Sequence, residues 1–239
     1  MTDAAPRPPR HRADTAYARG EETRRRIVEV ALRLFGERGY EGASTRDIAA
    51  AAGVNAPALQ YYFGNKEGVY RACAADIADG WSAHVAPVVE RAHAVAKDAH
   101  ADADRLFEAF GTLLDALADY QLLSDDAEHR RLFIAHEQVG QGPGVLFEML
   151  DRGPQSRMGE VATRLIGRYC GIDGRNAALR VRIMMLFGQI MVFSLGRRSL
   201  VSKIGWERMG LDEVATIKRA ARENARLLVD RWREEAPSR

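Results

Sequence analysis

Four side chains within eight residues, Asn55, Gln60, Tyr61 and Tyr62, carry the chemistry with most to say, and it is chemistry of recognition. A carboxamide sets a donor beside an acceptor, the pattern that matches the major-groove edge of adenine. A phenol lies against a base methyl or reaches a phosphate. Lys66 follows as a point charge for phosphate, and Thr45 and Arg46 stand upstream in the first turn of a helix, where free N–H groups favour anions. Ala56 and Ala58 complete the outward edge of the same stretch. Patterns for bond-making chemistry fail on spacing. His136-Glu137 opens an H-E-x-x-H zinc pattern, but Gly140 occupies the place of the second ligand. GQGPG at 140–144 has the glycines of a phosphate loop but lacks the preceding strand and the following Lys-Ser/Thr. No G-x-S-x-G occurs, and His84, His93, His100 and His129 are scattered. No enzyme, catalytic set, metal site or cofactor is expected.

The elements that hold those recognition residues are two short helices about a glycine. In STRDIAAAAGVNAPALQYYFGNK (44–66), Ser44 and Asp47 have capping-box spacing at a helix start. Ile48, Ala49, Ala51 and Ala52 supply a thin apolar face, small enough for close helix approach. Gly53 supplies the turn, Asn55 an N-cap and Pro57 a first-turn residue whose missing N–H does no harm. Leu59 and Phe63 face inward. This is a helix-turn-helix, with the second helix presented outward. Upstream, Ile27, Val30, Ala31, Leu34 and Phe35 form a 3.6-residue stripe that Gly39 ends, with Tyr40 just beyond. Downstream a further helix begins at Asn65-Lys66-Glu67 and runs through Val69, Tyr70 and Cys73.

The ordered set "F-x-x-x-G-Y", "ST-R-D-I-A-x-x-A-G-V" and "YYFGNKEGVY" resembles the TetR family of transcriptional regulators over residues 21–75. Residues 133–143 (FIAHEQVGQGP), 185–197 (MLFGQIMVFSLGR) and 205–206 (GW) are similar to its CecR-like branch. Two departures stand out: His136 begins a triplet that opens with arginine in that branch, and Gln60 stands where many members carry tyrosine. The resemblance implies an all-α protein with an N-terminal three-helix DNA-binding domain and a C-terminal helical domain for ligand sensing and dimerisation. The partners implied are double-stranded operator DNA, a second copy of the chain and a small-molecule effector, most simply one that releases a repressor from a palindrome.

Composition fits a cytoplasmic protein with no membrane partner. The chain has 239 residues, ordinary hydrophobic and charged fractions, and two cysteines, Cys73 and Cys170, too few for a disulfide framework. No signal-peptide core opens it, and the most apolar run, 181–195, is interrupted by Arg182, Gln189 and Ser194 and is shorter than a bilayer span. Net charge is only +2, but Arg7, Arg10, Arg12 and Arg19 cluster with three prolines in residues 1–20. That reads as an extended, disordered basic arm, either tracking phosphates or simply solvated.

Three regions follow: the arm at 1–20, the helix-turn-helix domain at 21–66 and the helical domain at 67–239. Helices are expected near 66–86, 103–123, 126–139, 144–151, 155–170, 175–196 and 211–234, with a loop at 94–104 and breaks at 140–144 and 151–154. Met184, Phe187 and Met191 on one helix, with Val214, Ile217, Ala221, Ala225 and Leu228 on the last, are the expected dimer face, against the alternative of a purely internal core. An effector cavity is expected to draw on Trp81, His84, Phe107, Phe110, Phe133, His136, Glu137, Phe147, Met185, Gln189 and Phe193. The same aromatic and methionine spacing also suits plain core packing. The alternative function is a ligand-independent architectural or partner-binding helical DNA-binding protein, distinguished by binding that lacks sequence preference.

Overall fold

Helices begin where the sequence places its caps. The computed structural model describes residues 10–123, 127–152 and 156–236; of residues 10–17, 127 and 198 it describes the backbone alone. Eleven helices run through the described residues: α1 Arg10–Gly42, α2 Thr45–Ala51, α3 Ala56–Phe63, α4 Lys66–Lys97, α5 Ala103–Leu123, α6 Ala127–Gln138, α7 Val145–Arg152, α8 Arg157–Cys170, α9 Ala177–Leu195, α10 Arg197–Ile204 and α11 Leu211–Glu235. The all-α expectation holds, and no strand occurs among the described residues.

Three expectations need correction. The arm is not extended throughout: residues 10–20 are the start of α1, and residues 1–9 lie outside the described residues. Alanines and the arginines themselves are good helix formers, and in the sequence that tendency was outweighed by the three prolines. All three prolines precede residue 10. Second, α4 passes through Pro87 and ends at Lys97, so the loop is only 98–102. An interior proline forfeits one helix hydrogen bond. The alanine-rich run after it, with Val85, Val89, Ala92 and Ala96 buried, keeps the helix going. Third, α10 was not foreseen, and it occupies the stretch between the last two expected helices. The expected break at 151–154 falls partly on residues 153–155, outside the described residues.

The chain divides into two units: residues 1–76 with 132–145, and residues 77–131 with 146–239. The first is larger than the expected 21–66. It takes in the start of α4, whose Val69, Tyr70, Cys73 and Ala74 are buried, and a segment from the middle of the chain whose Phe133 and Glu137 are buried with them.

In the second unit, α5 is the central helix, packing on α8, α9 and α11. Its Phe110, Leu113, Leu114 and Leu117 meet Leu165 and Ile166 of α8, Ile183 and Ile190 of α9, and Ile217 and Val229 of α11 in one apolar core. Beside that core runs a charged seam. Asp104 pairs with Arg226, Glu108 and Asp115 with Arg222, and Asp119 with Lys218, each at 2.9 Å. Acidic residues one or two turns apart on α5 thus face basic residues spaced likewise on α11, as two antiparallel helices require. Such half-exposed pairs contribute about 0–1 kcal/mol each and serve mainly to set register. Tyr169 of α8 donates to Asp230 at one end of the seam.

Helix α9 is long and apolar enough, by length and composition, to cross a membrane. Its inner face, Leu179, Ile183, Leu186, Ile190 and Ser194, is instead packed into this core. Gln189 Nε2 donates to the Ala221 carbonyl at 3.2 Å, and Ser194 Oγ to Gln121 Oε1 at 3.1 Å, bonds that belong to a helix packed in protein. Both cysteines are free and buried; Cys73 donates to the Val28 carbonyl and Cys170 to that of Val229. Burial pushes the Cys170 thiol up to about 11.

Candidate nucleic-acid interface

The candidate interface is built on two caps. Ser44 precedes α2 with extended backbone, and its Oγ accepts from the Asp47 N–H at 3.1 Å. The hydroxyl also donates to Asp47 Oδ2 at 2.7 Å. That hydrogen bond, more than the nearby Arg38 and Arg46, holds the Asp47 carboxyl below its usual range. Ile48, Ala49 and Ala52 are buried beneath α2, whereas Ala51 is exposed and takes no part in the face expected of it. Arg26 of α1 donates through Nε to the Ala52 carbonyl at 3.0 Å and so fixes the end of α2. Gly53, at φ 65°, makes the turn; a side chain there would be strained.

Asn55 caps α3, its Oδ1 accepting from the Ala58 N–H at 2.9 Å. This limits its expected role at a base, because a bidentate amide contact needs the oxygen free. Its NH₂ group makes no such bond to the cap and stays available. Leu59 is buried, and Phe63 is half-buried beneath the Arg24 guanidinium, 5.4 Å from its ring centroid. The opposite side of α3 is open. Gln60 and Ala56 are exposed, Ala58 is half-buried, and Tyr61 is 84% exposed. Tyr62 is half-buried and meets Tyr61 edge-on at 5.3 Å. Thr45 is half-buried and Arg46 exposed, both in the first turn of α2.

Lys66 is held more closely than its sequence position implies. Its ammonium lies 4.4 Å from the Tyr40 ring centroid, 3.4 Å from the Glu41 carbonyl and 3.9 Å from the Glu41 carboxylate. Tyr40 is in place because Gly39, at φ 70°, breaks the helical run of α1 just before it. Asn65 Oδ1 accepts from the Gly68 N–H at 2.8 Å and caps α4.

The residues expected to line an effector cavity are divided between the two units. Phe133, His136 and Glu137 lie in the first unit, not in the helical bundle. There Glu137 is buried and accepts from the Tyr70 hydroxyl at 2.8 Å and from the Gly144 N–H at 3.0 Å, and Phe133 stacks on Tyr70. His136 Nδ1 bonds Gln141 Oε1. Glu137 and His136 thus have protein partners, the outcome that buried polar groups such as Glu137 generally reach. Phe107 and Phe110 are core, while Met185 and Phe147 face outward. Gln189 is tied to Ala221, and Phe193 is half-buried on the core. Trp81 and His84 both meet Tyr120, at 4.9 and 5.6 Å between centroids, in a half-buried to exposed aromatic patch. A groove of about 460 Å³ between α5 and α11 is lined by Leu123, Leu211, Val214 and Ala215 and by the seam's paired charges, and it contains none of the expected cavity residues.

The expected dimer residues also divide. Val214, Ile217, Ala221 and Ala225 are buried within their own chain, and Phe187 and Met191 are half-buried on its core. The stripe on α11 was real, but it faces α5, α8 and α9. Met184 and Leu228 do face outward, joined by Val181, Met185, Val192, Leu195 and Leu227. Sequence reasoning missed these neighbours because α9 is apolar on nearly every side, so periodicity gave no inner face.

A capped short helix, a glycine turn and a second helix with its polar side exposed define a helix-turn-helix DNA-binding protein. Residues 27–73 match the model for bacterial regulatory proteins of the tetR family, and residues 106–230 that for the C-terminal domain of the HTH-type transcriptional dual regulator CecR. The Shigella flexneri CecR is 32% identical over 190 residues, covering 79% of this chain and 82% of that one. The regulatory protein RaaS of Mycobacterium tuberculosis is 48% identical over 48 residues, 20% of this chain and 22% of its own. Among solved structures, AibR in complex with isovaleryl coenzyme A and operator DNA aligns at TM-score 0.58 and 18% identity, covering 84% of this chain and 96% of that one. PfmR from Thermus thermophilus aligns at 0.54 and 20%, covering 85% and 97%. The chain belongs to the TetR family of transcriptional regulators, in the branch with a CecR-type C-terminal domain. It is a DNA-binding regulator and not an enzyme.

Proposed function

We propose that this chain is an effector-responsive, sequence-specific regulator that binds a palindromic operator as a homodimer and is released from it by a small molecule. The observation that carries the reading is the open side of α3: Gln60 and Tyr61 stand exposed on a helix whose underside is fixed by Leu59 and the Asn55 cap. One such helix reads few base pairs, so two copies on a two-fold axis are needed to specify a site. The outward apolar residues of α9 and α11 supply a face for that second copy. The effector is a molecule bound by the helical unit, with the aromatic patch of Trp81, His84 and Tyr120 as its first point of contact. It acts by fitting the free protein better than the operator-bound one, since only a difference in affinity shifts the balance. Moving from 99% DNA-competent to 1% takes a difference of about 5.5 kcal/mol. CecR of Shigella flexneri is a dual regulator; for this chain the operator's place relative to the promoter sets repression or activation.

The test is selection of bound sequences from random duplex DNA, repeated with Gln60→Ala and Tyr61→Ala. The expected outcome is a palindromic consensus that these changes weaken or relax, by about 1–3 kcal/mol at the contacted base pair for Gln60. An unenriched pool from the unaltered protein overturns the reading.

A further inference from the structure

The segment 132–145 comes from the middle of the chain yet forms part of the DNA-reading unit, and its contacts form a connected set. Phe133 stacks on the Tyr70 ring at 4.4 Å, and Phe35 meets the same ring edge-on at 4.9 Å. Glu137 Oε1 accepts both the Tyr70 hydroxyl and the Gly144 N–H, so one buried oxygen fixes the phenol and the turn that follows α6 together. The fit is closed: a Cβ added to Gly142 would lie 2.2 Å from Glu137 Oε1 and 2.4 Å from the Tyr70 oxygen. Tyr70 in turn meets Tyr40 edge-on at 5.0 Å, and Lys66 lies over Tyr40 at 4.4 Å.

We infer that Glu137 and Phe133, outside the helix-turn-helix motif, are positioning residues for the phosphate contact of Lys66, acting through Tyr70 and Tyr40. The inference rests on the reading of Lys66 as a DNA contact. A lysine carries several freely rotating bonds, and holding its ammonium in one place requires a fixed partner. Here the Tyr40 face, favourable for a cation, fills that place beside the Glu41 carbonyl at 3.4 Å and its carboxylate at 3.9 Å. The ring offers the face only while it keeps its orientation, and Tyr70 sets that orientation from one side. Tyr70 is itself set by Glu137 and Phe133. Its burial and its bond to Glu137 both raise its hydroxyl pKa, so it remains a neutral donor at all physiological pH.

The experiment uses the full chain, three single variants and the double variant of Gly142→Ala with Lys66→Ala. Gly142→Ala wedges the clasp apart without touching the motif, Tyr70→Phe removes one oxygen, and Lys66→Ala removes the contact itself. Binding to an operator, or to a generic duplex, is measured against salt concentration. Losing one phosphate contact lowers the slope of log K on log salt by about one. The expected result is that loss in Gly142→Ala and in Lys66→Ala, with no further loss in the double variant. A second readout needs no DNA. The Lys66 Hε protons should show a ring-current upfield shift by NMR that moves toward the random-coil value in Gly142→Ala and Tyr70→Phe. Should Gly142→Ala fail to fold, as judged by near-UV circular dichroism, Tyr70→Phe carries both readouts. Unchanged slope and unmoved Lys66 resonances, with only the Tm lowered, overturn the inference and leave Glu137 an internal support. Failure of the unaltered protein to bind any duplex is a different result, overturning the reading of the motif itself.

Discussion

Asn55 and Gln60 are both carboxamides five residues apart, and sequence alone assigned both to bases. The structure separates them by what each oxygen already does. Asn55 Oδ1 is bound to the Ala58 N–H, whereas the Gln60 side chain is exposed on α3 with no hydrogen bond among those of the described residues. The two alanine variants should therefore fail in different ways. Asn55→Ala removes a cap and is expected to cost about 1 kcal/mol of stability, weakening DNA binding through the helix it starts. Gln60→Ala should leave the melting curve in place and lose discrimination at its base pair. Thermal melting of both variants beside selection of bound sequences checks this; equal Tm values for the two would overturn the assignment. Glu137 carries the same lesson from the other side. A buried acid reads as a ligand group until its partner, Tyr70, is seen sixty-seven residues away. No spacing rule reports such a pairing.

At the scale of the element, the helix-turn-helix was legible because its signals are local. Ser44, Gly53, Asn55 and Pro57 each act on backbone within a few residues, and α2, the turn and α3 fall where those residues place them. The path of α4 through Pro87, the helix α10 and the inward face of α9 were not legible, since each is decided by packing against residues remote in sequence. The junction of α3 and α4 shows how tightly a local element can depend on one missing side chain. A Cβ at Gly68 would stand 1.9 Å from the Phe63 carbonyl oxygen, and backbone cannot yield as a side-chain tip can. Gly68→Ala must therefore shift α3 against α4. The expected outcome is a lower Tm, by several degrees for a cost of about 1–3 kcal/mol. Duplex binding should fall more than stability loss explains, because α3 carries Gln60 and Tyr61. Normal operator affinity in a folded Gly68→Ala protein would show that the junction does not set the pose of α3.

For the whole molecule, the decisive question is what covers the outward side of α9. Met184 is 66% and Met185 70% exposed, and with Val181, Val192, Leu195 and Leu227 they are apolar residues that their own chain leaves in water. Single exposed hydrophobics mean little, but a run along one helix with neighbours on another is the usual mark of an interface. The charged seam between α5 and α11 occupies the other flank of α11, so a partner meets the apolar side without breaking ion pairs. Buried Ile217 and Ala225 hold α11 in its own core, and their replacement should unfold the chain before it separates two copies. Met184→Glu with Met185→Glu should do the reverse, since two carboxylates are tolerated in water and not in an apolar interface. On the proposed homodimer, the expected outcome by light scattering after gel filtration is a folded monomer whose helical content matches that of the unaltered protein. Operator affinity should fall steeply, because each monomer then holds a single half-site and loses the effective concentration supplied by its partner. A double variant that remains dimeric would move the interface off α9, and with it the proposed route by which two recognition helices reach one palindrome.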